Sequence, residues 1–254
     1  MLFDLLRIQC STSTGFAVRF GPDFAREISC LIKDTKTERI TLEFFRILNS
    51  KNTIKTLNLL LEDGILEQII SLSYNKIKEK LKEIYKINKI FNKLPLKYKF
   101  KLNSNFTQDL TYKGLIRLEM LLVGAPFNIL NKSSRILQHL KKLESANDFS
   151  KKANQHINKE ILNEIFRMSG EASFDILVIN NLTRFICDFE KYNKIKKKSL
   201  LSANEIIKIK KINKDKVLGS VIELIRKKQF IGRIRGKREA KEYLMKLDIK
   251  SNLT

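Results

Sequence analysis

Apolar positions in residues 37–48, TERITLEFFRIL, fall at Ile40, Phe44, Ile47 and Leu48, the spacing of one helical face, with Thr37 placed to cap it. Residues 53–63 repeat the pattern at Ile54, Leu57, Leu60 and Leu61. Gly64 then stands where a left-handed helix stop is needed. Ile65-Leu66 and Ile69-Ile70 predict a short third helix. Residues 76–93 predict a lysine-rich amphipathic helix with Ile77, Leu81, Ile84, Ile87 and Phe91 inward, closed by Pro95. After a polar break at 103–109, residues 110–123 predict an apolar helix that ends by Pro126. Residues 128–143 suit a capped helix starting near Asn131, with Ile136, Leu137 and Leu140 inward. His139 lies beside that face and reads as a half-buried structural histidine, because no nucleophile motif accompanies it; His156 reads the same way.

Residues 157–167 and 172–189 predict two more helices separated by Ser169-Gly170, the second carrying Phe174, Ile176, Leu177, Ile179 and Leu182. Helices near 202–210, 215–230 and 237–247 follow, with Gly232 and Gly236 as breaks. Only 9 Gly and 3 Pro leave little punctuation for tight β-turns, so an all-α fold is expected. The blocks differ in character: 1–100, 101–190 and 191–254.

Composition changes this picture mainly through charge. The 254 residues carry a formal net charge of +23, a field that attracts polyanions and drives binding by counterion release. A proteome rich in Lys, Ile and Asn is the alternative source of that charge. Distribution separates the two, because Lys194–Lys241 holds seventeen Lys and Arg against four acidic residues, a net of +13. Candidate RNA-binding residues are therefore Lys196, Lys197, Lys198, Arg226, Lys227, Lys228, Arg233, Arg235, Lys237 and Arg238. No apolar run approaches the roughly 18 residues of a membrane span, and no signal-peptide layout opens the chain, so a cytoplasmic protein without a membrane partner is expected. Cys10, Cys30 and Cys187 are odd in number and widely spaced, which suggests buried reduced thiols.

Catalytic motifs are absent from these residues. No paired-carboxylate strand, Walker loop, GxGxxG turn, GxSxG elbow or HExxH helix occurs. Asp109, Asp148, Asp175 and Asp188 are scattered and read as solvated charge, so neither a catalytic nor a metal-binding residue is assigned.

The order of the remaining motifs is familiar. Asp4-Leu5-Leu6-Arg7-Ile8, then FAVRFG at 16–21, Glu38-Arg39-Ile40 with Glu43, and Leu57…Leu61…Gly64-Ile65-Leu66 resemble the neck and body of bacterial class II tRNA nucleotidyltransferases (CCA-adding enzymes) and their poly(A) polymerase relatives. Downstream, Arg117-Leu118 and Ile129-Leu130-Asn131…Ile136 resemble the body's helical pairs. Phe166-Arg167-Met168-Ser169-Gly170-Glu171 resembles its turn, and residues 200–247 resemble the tail.

That resemblance implies an elongated neck-body-tail array of helices without the family's catalytic β-sheet head: neck and first body helices in 1–100, body in 101–190, basic tail in 191–254. It implies that Asp4 and Arg7 hydrogen-bond the edge of an incoming CTP or ATP. Glu38, Arg39 and Glu43 would form a neck charge network, although they also read as a helix-surface pair worth a few tenths of a kcal/mol. The carboxylates that hold Mg2+ belong to the head. This chain is therefore expected to bind no cofactor itself, to hold tRNA or another RNA, and to be inactive in CCA addition or polyadenylation unless a separate head chain supplies the metal site. The alternative is a non-catalytic basic RNA-binding protein or the relic of a split or decayed gene, motivated by Gln9-Cys10-Ser11-Thr12-Ser13-Thr14, a run that favours turns and caps over helix interiors. An unrelated helical DNA-binding protein stands third.

Overall fold

The computed structural model describes residues 36–123, 133–153, 156–212 and 216–247. Within them the chain is all-α, with a single isolated bridge between Asn105 and Thr111 and no strand. No helix among the described residues is long and apolar enough to cross a membrane. Two compact units divide between Leu140 and Lys141.

In the first unit, α1 (Thr37–Asn49), α2 (Thr53–Glu62), α3 (Ile65–Ile70), α4 (Tyr74–Lys93) and, after α5 (Leu96–Asn103), α6 (Tyr112–Leu122) enclose one core, which the start of α7 (Ser134–Lys152) joins, while α5 packs against α6. The apolar stripes read from the sequence are the buried ones: Ile40, Phe44, Ile47 and Leu48 on α1, and Ile77, Leu81, Ile84, Ile87 and Phe91 on α4. Gly64 adopts φ 70° between α2 and α3, a conformation that glycine takes without strain. Thr37 does not cap. Lys36 holds the cap position without a side-chain bond, and Thr37 is already helical, accepting the Thr41 hydroxyl at its carbonyl at 2.8 Å. Helix α5 was not anticipated. Lysines alternate through its sequence and hide the buried pair Tyr98 and Leu102, while Leu96 and Phe100, also four apart, are 72% and 76% exposed.

A buried polar network fixes the turn between α1 and α2. Arg117, 2% exposed on α6, donates from Nη1 to the carbonyls of Leu48 and Ser50 and to Thr53 Oγ1. From Nε and Nη2 it donates to Asn88 Oδ1 on α4, at 3.1 and 2.9 Å. Burial lowers its pKa to about 10, which leaves the guanidinium charged at neutral pH. A second contact lies where α6 begins. Asn49 Oδ1 accepts the Thr111 N–H and hydroxyl, Asn49 Nδ2 donates to the Asp109 carbonyl, and Thr111 in turn caps α6 by accepting the Gly114 N–H. Lys80 on α4 closes the other end of α6, donating to the carbonyls of Met120 and Val123 that the helix leaves open.

His139 is more deeply buried than its position beside the apolar face suggested. It is 4% exposed, stacked edge-on against Phe106, with Nε2 3.0 Å from Glu119 Oε1. Helix α7 begins at Ser134, and Asn131 and Pro126 lie outside the described residues. Leu137, expected to face inward, is 38% exposed.

In the second unit, α8 (Lys159–Ser169), α10 (Ile186–Lys197) and α12 (Lys216–Ile231) pack around Phe166, whose ring lies 5.3–6.0 Å from those of Phe189, Tyr192 and Phe230. The helix expected over 172–189 is two helices. The first, α9 (Ser173–Ile179), ends where Asn181 turns left-handed at φ 54° and Leu182 donates back to the Leu177 carbonyl; asparagine is one of the few side chains that tolerates this. All residues from Ser173 to Val178 are buried, so Asp175 is 1% exposed and not the solvated charge its polar neighbours implied. Cys187 corrects another expectation, since its thiol is exposed on the solvent side of α10. Cys10 and Cys30 lie outside the described residues. Helices α11 (Ala203–Lys210) and α13 (Lys237–Lys246) close, with α12, a small core of Leu201, Ile206, Val221, Ile225, Ile234, Ala240 and Leu244.

Candidate nucleic-acid interface

Along α12, α13 and the end of α10, the basic sequence has to serve two demands. Lysines at a helix carboxyl end stabilise its exposed carbonyls, and the same lysines can meet an external anion. Helix α10 ends in Lys194, Lys196 and Lys197 and is followed by Lys198. Its last turn is closed by Arg226, which donates Nη2 to the Lys196 carbonyl and Nη1 to Glu223. Arg226, expected at an RNA surface, is thus engaged by the fold.

The turn after α10 opens a cleft of about 1020 Å3. Lys194, Lys197 and Lys198 line one side, and Lys237 and Gln229 come from α13 and α12. Glu205 is the one carboxylate in its lining. Its Oε1 lies 2.8 Å from Lys237 Nζ, and its Oε2 accepts the Ser202 N–H while Ser202 Oγ accepts the Glu205 N–H, a reciprocal cap on α11. Glu205 pairs with Lys237 and not with Lys194, Lys197 or Lys198, which leaves those three for whatever enters. Ser199 Oγ and Gln229 Oε1 lie buried at the wall with no hydrogen-bond partner among the described residues, which a buried polar atom rarely tolerates.

The bond from Lys237, then that from the Ser202 amide, lowers the pKa of Glu205 from 4.5 to about 2. A depressed carboxylate contributes stability above its ordinary pKa and loses it as pH falls through the depressed one. Protection of the amides in the first turn of α11, taken as the ratio of intrinsic to observed exchange rate, is therefore expected to fall between pH 4.5 and 2, measured by hydrogen-exchange NMR, and Glu205→Gln should abolish that fall.

The other basic candidates divide. Lys196, Lys197, Lys198 and Lys237 are exposed, whereas Lys227 and Lys228 are half-buried, Lys228 against the ring of Tyr243. Arg233 and Arg238 are exposed but face carboxylates, Glu160 at 3.3 Å and Glu242 at 3.0 Å. Arg235 is exposed, and its backbone N–H, not its guanidinium, bonds Glu239. Lys194 belongs to the cleft and was not singled out from the sequence, because its direction depends on where α10 ends.

In the first unit, Glu38 and Arg39 lie exposed in the first turn of α1. Glu43 is 7% exposed and pairs with Arg46 at 2.6 Å. Asp4 and Arg7 lie outside the described residues.

Residues 24–72 match a family model described as "Probable RNA and SrmB- binding site of polymerase A", which takes in α1, α2 and α3. No curated protein and no solved structure matches the chain. The chain therefore carries, over residues 24–72, a region similar to the RNA-binding part of polymerase A.

Proposed function

We propose that this chain is the RNA-holding helical portion of a CCA-adding tRNA nucleotidyltransferase or poly(A) polymerase of the bacterial class II kind. The observation that carries this reading is the match of residues 24–72 to a polymerase-A RNA-binding site. The basic cleft in the second unit supports it. Its three uncommitted lysines suit a phosphate backbone. In this reading Asp4 and Arg7 select the base of CTP or ATP, and Glu38, Arg39 and Glu43 steady the helix behind them. The acidic residues that hold Mg2+ come from a head unit outside residues 1–254.

Two measurements test it. The purified chain mixed with tRNA, CTP, ATP and Mg2+ should incorporate no nucleotide, and incorporation would overturn the division of labour. Affinity for labelled tRNA should fall with salt at a slope of roughly −0.7 to −0.9 per contacted phosphate. Replacing Lys194, Lys197 and Lys198 with Ala should flatten that slope by about one per lost contact. Replacing Arg233, Arg235 and Arg238 should flatten it less, because two of those guanidinium groups already face carboxylates. Curves identical to wild type for both variants would move the RNA contact off this surface.

A further inference from the structure

A second groove, of about 550 Å3, lies on the first unit where the turn between α1 and α2 meets α4. That volume is in the range of small-ligand sites, roughly 300–1,000 Å3. Lys51 and Lys55 line it on one side and Tyr85, Asn88, Lys89 and Asn92 on the other, and no acidic residue takes part. The first side falls within the matched region 24–72 and the second outside it.

Four observations mark this groove as a receptor and not a wet crease. Behind it lies Arg117, a buried cation whose acceptors are all neutral: an amide oxygen, two carbonyls and a hydroxyl. No carboxylate among the described residues pairs with that charge, so its field reaches the groove through low-dielectric protein. Crowding of positive charge is felt nearby, since the Lys113 ammonium is pulled below its ordinary pKa by burial, then by Arg117 and Lys51. Asn88 is the second mark. Two Arg117 N–H groups bond its Oδ1, and Asn88 lines the groove while its Nδ2 makes no hydrogen bond among the described residues.

Asn52 is the third. It occupies the cap position of α2, where asparagine ordinarily bonds the first helical amides, yet makes no capping bond, and its amide also lines the groove. Tyr85 is the fourth: it lines the groove with about half of its surface exposed, and Lys89 Nζ lies 4.5 Å from its ring centroid.

We propose that the groove holds one unpaired nucleotide of an RNA strand, its base stacked on Tyr85 and its acceptor edge bonded by Asn88, with Lys51, Lys55 and Lys89 on the flanking phosphates. An aromatic face with amide donors fits a base, which stacks and presents ring nitrogens and carbonyls. An acidic peptide would use the lysines and leave the ring and amides without a role. The assignment rests on the reading that the chain binds RNA, and it adds a subsite apart from the basic cleft.

The test uses single-stranded RNA carrying one 2-aminopurine, whose fluorescence is quenched on stacking. Wild type should quench it. Tyr85→Ala should abolish the quench and weaken binding by about 5- to 150-fold, the effect of losing one stacked base. Asn88→Asp keeps an acceptor for Arg117, so the chain should fold, but it removes the donor and neutralises the buried charge; it should weaken single-strand binding while its melting temperature stays at or above wild type. A fully paired duplex should show no Tyr85 dependence. If wild type bound no RNA, the proposed function and this subsite would both fall. RNA binding and quench unchanged in both variants would overturn the subsite alone, as would a polyglutamate peptide whose binding, unlike that of RNA, depends on Tyr85.

Discussion

Replacing Arg117 with Met is expected to destabilise the first unit by about 3–5 kcal/mol, although methionine has similar length and no charge to desolvate. Buried charge networks can often be replaced by apolar residues at no cost when all partners are replaced together. Here two of the partners are the backbone carbonyls of Leu48 and Ser50, which no substitution removes. The Thr53 hydroxyl still donates to the Ser50 carbonyl at 2.6 Å, so the acceptors left without a donor are the Leu48 carbonyl, a Thr53 Oγ1 lone pair and Asn88 Oδ1, each worth about 1–3 kcal/mol. Relief from holding a buried cation offsets part of that loss, not all of it. Lysine should recover part of the stability, because one ammonium has three donors and cannot span the same fork. Urea denaturation of wild type, Arg117→Met and Arg117→Lys decides it, and a methionine variant as stable as wild type would mean that water replaces the guanidinium.

Gly114→Ala is expected to cost about 2–4 kcal/mol, against the sign that helix propensity alone assigns. Alanine inside a helix is better than glycine by about 1 kcal/mol. At this position, however, a Cβ would overlap Asn49 Oδ1 and approach Leu110 Cδ1 to 2.8 Å. Asn49 cannot withdraw without breaking its bonds to Thr111 and Asp109, which join the end of α1 to the start of α6. Thermal unfolding should show the loss. In the background of Asn49→Ala the same glycine substitution should cost much less, a non-additivity that identifies the clash as its source. A stabilised single variant would show that Asn49 rotates freely.

Both effects depend on contacts that sequence order hides. The stripe of Ile77, Leu81, Ile84, Ile87 and Phe91 was legible because a helix repeats every 3.6 residues and its neighbours in space are its neighbours in sequence. Arg117 meets acceptors 29 to 69 residues away, and no local pattern distinguishes it from a solvated arginine. The basic segment shows the same divide. Its excess charge could be counted, but Arg226 closing the end of α10, and Lys194 opening to the cleft, follow from where helices end and how they pack. Asn181 broke an expected helix because one left-handed residue in an apolar run leaves the hydrophobic period almost unchanged.

The exposed pair Leu96 and Phe100 on α5 sets the conditions under which the chain can be handled. Lys93 and Lys97 stand beside them, exposed, and their charge is expected to repel a second copy at low ionic strength. At about 1 M salt the Debye length shrinks to about 3 Å and that repulsion is lost, while excluded anions such as sulfate strengthen apolar contact. Salt strong enough to strip RNA from the lysines is thus salt in which this pair is expected to favour contact between copies, so chloride and low protein concentration are the conditions in which a binding titration is expected to report release and not precipitation.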